Sequence, residues 1–120
     1  MFMITLGIAL TVICLTHGGN ADLVRKAFFG SPYLNAALVT AKSEGLNKYV
    51  GDGGTSFGAF QLHRGGMGSE FEHDTGLNLA NPSTRPAQYA YVRRYVERHG
   101  GFSSNVWHGL RHVRVAQAQC

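Results

Sequence analysis

Charge, cysteine and long apolar runs are all scarce in this chain. Charged residues make up 15% of it and hydrophobic residues 44%, which excludes the charge-rich, weakly apolar composition of a disordered protein. The longest apolar run, residues 1–15, is shorter than the roughly 20 residues that a transmembrane helix needs. Cys14 lies in that run and Cys120 is the last residue, so we predict no disulfide. The length of 120 residues allows one domain with a modest core.

Two common ligand-binding motifs are also missing. The glycine-rich loop at residues 51–54 lacks the Lys-Ser/Thr pair of a phosphate-binding P-loop. His108 and His112 have the spacing of zinc ligands on one helix face, but no glutamate of a His-Glu-x-x-His motif separates them and no third ligand is placed nearby. We therefore predict no metal and no cofactor, and interpret His63, His73 and His99 as surface or packed residues.

The N-terminal residues 1–21 contain no Lys, Arg, Asp or Glu. Their apolar run has the length of a signal-peptide core, and the small residues at positions 19–21 suit a cleavage site, although a positively charged start is missing. We favour a signal or membrane-anchor segment, with a helix buried in the domain as the alternative. A signal would place the protein outside the cytoplasm: secreted, periplasmic or associated with a virion.

Apolar residues at helical spacing, separated by Gly and Pro, predict a mainly α domain at residues 22–113 and a short tail at 114–120. Ser31 and Pro32 are typical of a helix start, and Gly45 is typical of a helix end directly after Glu44. A glutamate at that end meets the negative pole of the helix, which tends to raise its pKa. Helices are predicted at 22–29, 32–44, 56–62, 69–75, 86–99 and 103–112, with a polar loop or small hairpin at 50–55.

Basic residues are concentrated in the C-terminal half of a chain whose formal net charge is +4. The segment 85–114 holds a single acid, Glu97, and six arginines: Arg85, Arg93, Arg94, Arg98, Arg111 and Arg114. Such a surface favours a polyanionic partner, either nucleic acid or the anionic bacterial cell wall. The alternative is an ordinary solvated helix face.

Glu44 is the residue best suited to acid chemistry. Cleavage of a glycosidic bond needs a carboxylic acid that delivers a proton to the leaving oxygen, and apolar surroundings favour its protonated form. Tyr49, Phe57 and Phe60 lie close in sequence and are candidates for such surroundings, while Ser56 and Gln61 can hydrogen-bond the sugar. Glu44 taken alone is better explained as a solvent-exposed acid at a helix end.

The motif Glu-Gly-Leu-Asn at 44–47, followed by Gly-Asp-Gly-Gly-Thr-Ser-Phe-Gly-Ala-Phe-Gln at 51–61, resembles the lysozyme-like domain of lytic transglycosylases and phage-associated peptidoglycan hydrolases. The resemblance implies an α+β lysozyme-like fold, with short helices around a substrate cleft. It implies that Glu44 is the catalytic acid and that Ser56 and Gln61 line the sugar site. Residues 36–66 carry it well, and it is thinner through Trp107.

The motif departs from the family at one point. Alignment on Asn47 brings the family glutamate to Ser43, and a deletion of one residue in the turn restores Glu44 to the register. Because serine cannot act as the acid, we assign the role to Glu44. Without that shift the domain would be a catalytically inactive wall binder.

We therefore predict a glycosidase that cleaves the β-1,4 bond between N-acetylmuramic acid and N-acetylglucosamine in peptidoglycan. Asp52 is either the second carboxylate or a turn residue, and Trp107 either stacks on a sugar or belongs to the core. With one acid only, the acetamido group of the substrate assists, and the family then forms a 1,6-anhydro product.

Two alternatives from other functional classes stay open: a non-catalytic cell-wall-binding module, and a basic DNA-binding domain built on the 93–98 segment. For the favoured enzyme, the expected partners are glycan strands, without nucleic acid, and with membrane contact through the N-terminal segment. We expect a monomer.

Overall fold

The computed structural model describes residues 19–46 and 48–107. This part of the chain folds into four α-helices and a small antiparallel sheet with the strand order β1-β2-β3. The helices are α1 (Gly19–Ala27), α2 (Leu34–Glu44), α3 (Met67–Thr75) and α4 (Arg85–His99), with a 3-10 turn at Pro82–Thr84. The strands are β1 (Val50–Gly51), β2 (Ser56–Phe57) and β3 (Leu62–His63). The predicted mainly α domain with a minor hairpin is confirmed at this level. Within the described ranges, no helix is both long enough and apolar enough to cross a bilayer.

Helix α1 packs between α2 and α4, and the core lies where these helices meet the loop after β2. Phe60 is the centre of this contact, because its ring lies 5.9 Å from that of Phe28 and 5.5 Å from that of Tyr89. Of the three tyrosines on α4, Tyr89 and Tyr91 are buried and Tyr95 is half-buried. Tyr89 and Tyr91 thus belong to the core, and Tyr95 packs against it.

The predicted helix ends are confirmed where glycine marks them. Gly45, Gly76 and Gly100 each adopt a left-handed conformation and cap α2, α3 and α4. The predicted start of α2 at Ser31 and Pro32 is wrong, since the helix begins at Leu34. The Ser31 hydroxyl instead accepts a hydrogen bond from the Tyr33 amide and closes a turn ahead of the helix.

The helix predicted at residues 56–62 is also wrong. Ser56 pairs with Gly51 on one side and with His63 on the other, which makes β2 the central strand. Gly58 has φ 78° and Gln61 has φ 50°, and neither value belongs to a right-handed helix. These two residues instead turn the chain sharply between β2 and β3.

The helix predicted at 103–112 is wrong over its described part. Residues 103–107 form turns in which the Ser103 carbonyl accepts from the Val106 and Trp107 amides. Positions 108–120 lie outside the described residues, and so do Asn47 and residues 1–18 with Cys14. The boundary predicted after position 21 falls inside α1, where Asn20 is 6% exposed.

The Asn20 side chain connects three segments that are far apart in sequence. Its Nδ2 donates to the Leu46 carbonyl at 2.7 Å, and its Oδ1 accepts from Arg85 Nη1 at 2.9 Å and from the Tyr89 hydroxyl at 3.1 Å. The Tyr89 hydroxyl in turn accepts from the Ala59 amide at 3.0 Å. One buried amide thus joins α1, the turn after Glu44, α4 and the turn after β2.

Gly58 should tolerate no side chain. A Cβ at Gly58 would lie 2.5 Å from Gln88 Oε1, and the buried Gln88 amide is held by hydrogen bonds to Tyr49 and Thr84. Gly58→Ala therefore adds a steric clash to the cost of a positive φ and should lower the free energy of unfolding by about 3 kcal/mol. Gly53→Ala, at φ 67° with no atom near the new Cβ, should cost only about 1 kcal/mol. Equal losses in denaturant titrations of the two variants would contradict this packing.

Burial raises the pKa of Tyr89 to about 12, while its hydrogen bond from the Ala59 amide acts in the opposite direction. The unfolded chain releases this proton near pH 10 and the folded chain only near pH 12. The stabilisation that Tyr89 contributes is therefore complete below pH 10 and is lost as the pH rises towards 12. The wild-type protein should lose about 2–3 kcal/mol to this group over that interval. Tyr89→Phe should be less stable at pH 7 and should show a shallower alkaline loss, measured by denaturant titration at each pH.

Candidate functional site

One cleft of about 430 Å³ borders all five residues that the sequence singles out as a site. Its lining consists of Glu44, Asp52, Ser56, Gln61, His63, Val106 and Trp107. These side chains come from the end of α2, from the three-stranded sheet with its connecting turns, and from the segment after α4. His63 and Val106 are additions that the sequence analysis did not assign to the site. His63 lies two residues after the second half of the motif, whereas no sequence signal distinguishes Val106.

Glu44 reaches the cleft because α2 ends there. It is the last residue of the helix and half-buried, and Gly45 turns the chain away in a left-handed conformation with φ 100°. Ser43 does not line the cleft, and its hydroxyl donates to the Thr40 carbonyl one turn earlier at 2.8 Å. Of the two residues between which the motif alignment had to choose, Glu44 is thus the one that borders the cleft.

Ser56 holds Asp52 and His63 together. Its hydroxyl donates to Asp52 Oδ2 at 2.6 Å, and the same Oγ lies 3.1 Å from His63 Nδ1. The β2–β3 register sets the second contact, since Ser56 and His63 are cross-strand partners. Ser56 is 1% exposed, so its hydroxyl forms hydrogen bonds with the surrounding protein groups in preference to a ligand.

Backbone strain is concentrated at this cleft. Among the described residues, Asp52 (φ 53°) and Gln61 (φ 50°) are the non-glycine residues with a positive φ, and both line it. Such a conformation costs about 1 kcal/mol or more and persists where surrounding contacts enforce it. Strain of this kind is typical of functional sites, where a side chain has to be held in one direction.

Gln61 is held by backbone carbonyl groups next to β1 and β2. Its Nε2 donates to the Gly58 carbonyl at 2.8 Å and approaches the Tyr49 carbonyl at 3.4 Å. Its Oε1 lies so close to Gly51 that a Cβ there would be 2.0 Å away. The glycine at position 51 therefore leaves the space in which the Gln61 amide packs beside the cleft.

Trp107 belongs to the core and contributes one border of the cleft. It is 2% exposed, its Nε1 donates to the Phe60 carbonyl at 3.2 Å, and its ring lies 4.9 Å from that of Phe102. Val106, which precedes it, is 41% exposed and extends the apolar side of the cleft. A sugar in this cleft would thus have a larger contact area with Val106 than with the Trp107 ring.

The basic segment is partly committed to holding the fold. Arg85 donates to Asn20, and Arg93 donates to the Ala27 and Phe29 carbonyls at the end of α1. Arg94 and Arg98 are exposed on α4, and Arg111 and Arg114 lie outside the described residues. Within the described ranges, no three His, Cys, Asp or Glu side chains are grouped closely enough to hold a metal ion.

Gln61→Gly should be more stable than Gln61→Ala. Glycine adopts a positive φ without strain, so we expect a difference of about 1 kcal/mol in the free energy of unfolding. The exposed Arg94 in the interior of α4 provides the control, because there the alanine variant should be more stable than the glycine variant by a similar amount. The same order at both positions would contradict the strained backbone at Gln61.

Comparison of the chain with protein-family models, with curated proteins and with solved structures finds no match. The chemistry of the cleft is therefore inferred from its own residues and from the motif in the sequence.

Proposed function

We propose that the protein cleaves peptidoglycan at the β-1,4 bond between N-acetylmuramic acid and N-acetylglucosamine, and that its domain is lysozyme-like. One observation carries the proposal: the five residues predicted from the sequence, Glu44, Asp52, Ser56, Gln61 and Trp107, border a single cleft. They span more than half of the described chain. Their convergence on one cleft supports the interpretation of the motif as a sugar site, because no local sequence pattern requires these residues to lie together.

Glu44 acts as the general acid in this proposal. Its carboxyl group gives a proton to the glycosidic oxygen as the bond to the muramic acid carbon breaks. The C-terminus of a helix disfavours negative charge, and the apolar side chains of Val106 and Trp107 border the same cleft. Both features suit a carboxyl group that has to carry a proton to its substrate.

Asp52 and the substrate acetamido group offer two ways to complete the reaction. Asp52 borders the cleft and its carboxylate is fixed by Ser56, so it can orient a water molecule against the sugar carbon. Attack by water would leave ordinary reducing ends. Assistance by the acetamido group would give the 1,6-anhydro product, which is one water lighter.

The surface charge supports an anionic polymer as substrate. The chain carries a formal net charge of +4, and Arg94 and Arg98 are exposed on α4. Long-range attraction of this kind concentrates a polyanion near the protein and weakens with salt. We accordingly propose the bacterial cell wall as the place of action.

Glu44→Gln should abolish the release of muropeptides from purified peptidoglycan, measured by mass analysis of the soluble fragments. Glutamine has the same shape as glutamate but donates no proton to a leaving oxygen, so the rate should fall by at least about 100-fold. Sedimentation with insoluble wall should remain unchanged, because the cleft keeps its shape. Glu70→Gln is the matched control, since Glu70 is an exposed acid that does not line this cleft.

The masses of the wild-type products identify the route, with ordinary ends indicating a lysozyme and anhydro ends a lytic transglycosylase. If the wild-type protein binds the wall but releases no muropeptides, the result would favour a wall-binding module over an enzyme. Salt-sensitive binding to duplex DNA without affinity for the wall would favour the DNA-binding alternative.

A further inference from the structure

His63 borders the cleft, and the proposed reaction assigns it no role. It lies at the end of β3, opposite Ser56 on β2. The Cδ2–Nε2 edge of its ring lies over Gly65, where a Cβ would come within 2.9 Å of both atoms. The adjacent Arg64 takes a different direction, with its guanidinium over the Phe57 ring and bonded to Glu72.

The hydrogen bonds around Ser56 have a defined direction. A serine hydroxyl carries one proton, and here that proton lies between Ser56 Oγ and Asp52 Oδ2, 2.6 Å apart. Ser56 Oγ can therefore only accept in its contact with His63 Nδ1 at 3.1 Å. In the neutral ring the proton is then on Nδ1, and the chain runs from His63 through Ser56 to the carboxylate.

We propose that His63 is a positioning residue that holds the Asp52 carboxylate in the cleft through the Ser56 hydroxyl. Asp52 is exposed and has a strained φ of 53°, in a turn that continues with Gly53 and Gly54. Such a turn provides few side-chain contacts of its own. The Nδ1–H of His63 occupies a lone pair of Ser56 Oγ and thereby directs the hydroxyl proton at the carboxylate.

This inference rests on the proposed function only for its effect on catalysis, and the hydrogen-bond chain itself can be tested without activity. The nitrogen chemical shifts of the His63 imidazole distinguish the two neutral tautomers. We expect the Nδ1–H form for the neutral ring of the wild-type protein. We also expect Ser56→Ala to shift the population towards Nε2–H. A wild-type ring in the Nε2–H form, or a spectrum unchanged in Ser56→Ala, would overturn the proposal.

The effect on the reaction is tested with a pair of variants. Asparagine places an amide N–H close to the position of Nδ1, whereas alanine provides no donor. His63→Ala should lower the rate of muropeptide release at saturating peptidoglycan by about 10- to 100-fold, with little change in the half-saturating amount. His63→Asn should restore the rate to within about 3-fold of wild type, a recovery of about 3- to 30-fold over the alanine variant, or about 0.7–2 kcal/mol in the barrier.

His73→Ala is the matched control, because His73 is an exposed histidine that pairs with Asp74 and does not line the cleft. It should release muropeptides at the wild-type rate. Equal activity of His63→Ala and wild type, or equal loss in the alanine and asparagine variants, would overturn the positioning role. A wild-type protein that releases nothing would refute the proposed function, and the imidazole spectrum would still decide the hydrogen-bond chain.

Discussion

The buried amide of Asn20 is the interaction on which the rest of the molecule depends. It joins α1 to the Leu46 carbonyl, which lies two residues beyond Glu44, and to Arg85 and Tyr89 on α4. A buried amide that loses its hydrogen-bond partners lowers the free energy of unfolding by about 1–3 kcal/mol. The folded state therefore strongly favours each of these contacts. Because Tyr89 also holds the Ala59 amide, the same network sets the distance between the helix that carries Glu44 and the turn that carries Gln61.

The cleft combines two kinds of support. Glu44 is positioned by a regular helix that ends at a left-handed glycine, which is a rigid and common arrangement. Asp52 and Gln61 are positioned by strained turns, whose geometry is maintained by hydrogen bonds from Ser56 to Asp52 and from Gln61 to the Gly58 carbonyl. A carboxyl group on a stable element thus shares the cleft with polar groups that are held by a small network. Preorganised groups of this kind lose little entropy when a ligand binds.

Sequence patterns predicted the helix ends that are capped by glycine, and they missed the turn after Ser56 and the contacts between distant segments. Gly45, Gly76 and Gly100 end their helices as expected, because a left-handed cap depends on the residue itself. The segment after Ser56 was predicted as a helix, and the positive φ of Gln61 could not be read from a residue type that rarely adopts it. Of the predicted residues that border the cleft, Glu44, Asp52, Ser56 and Gln61 lie in the motif region, and Trp107 lies outside it. The role of Asn20 depends on contacts across the fold, which spacing along the chain does not show. The pairing of Ser56 with His63 depends on a local strand pair that was predicted as a helix.

The place of Asn20 near the start of α1 bears on how the protein could mature. A peptidase that cut after Ala21, at the small residues that suit a signal sequence, would remove the amide that joins Leu46 to Tyr89 while leaving every residue of the cleft in the product. The processed chain would then carry Glu44 and Gln61 on elements that are no longer joined through the Asn20 amide. A cut further towards the N-terminus, which leaves Asn20 attached to the domain, would keep this connection.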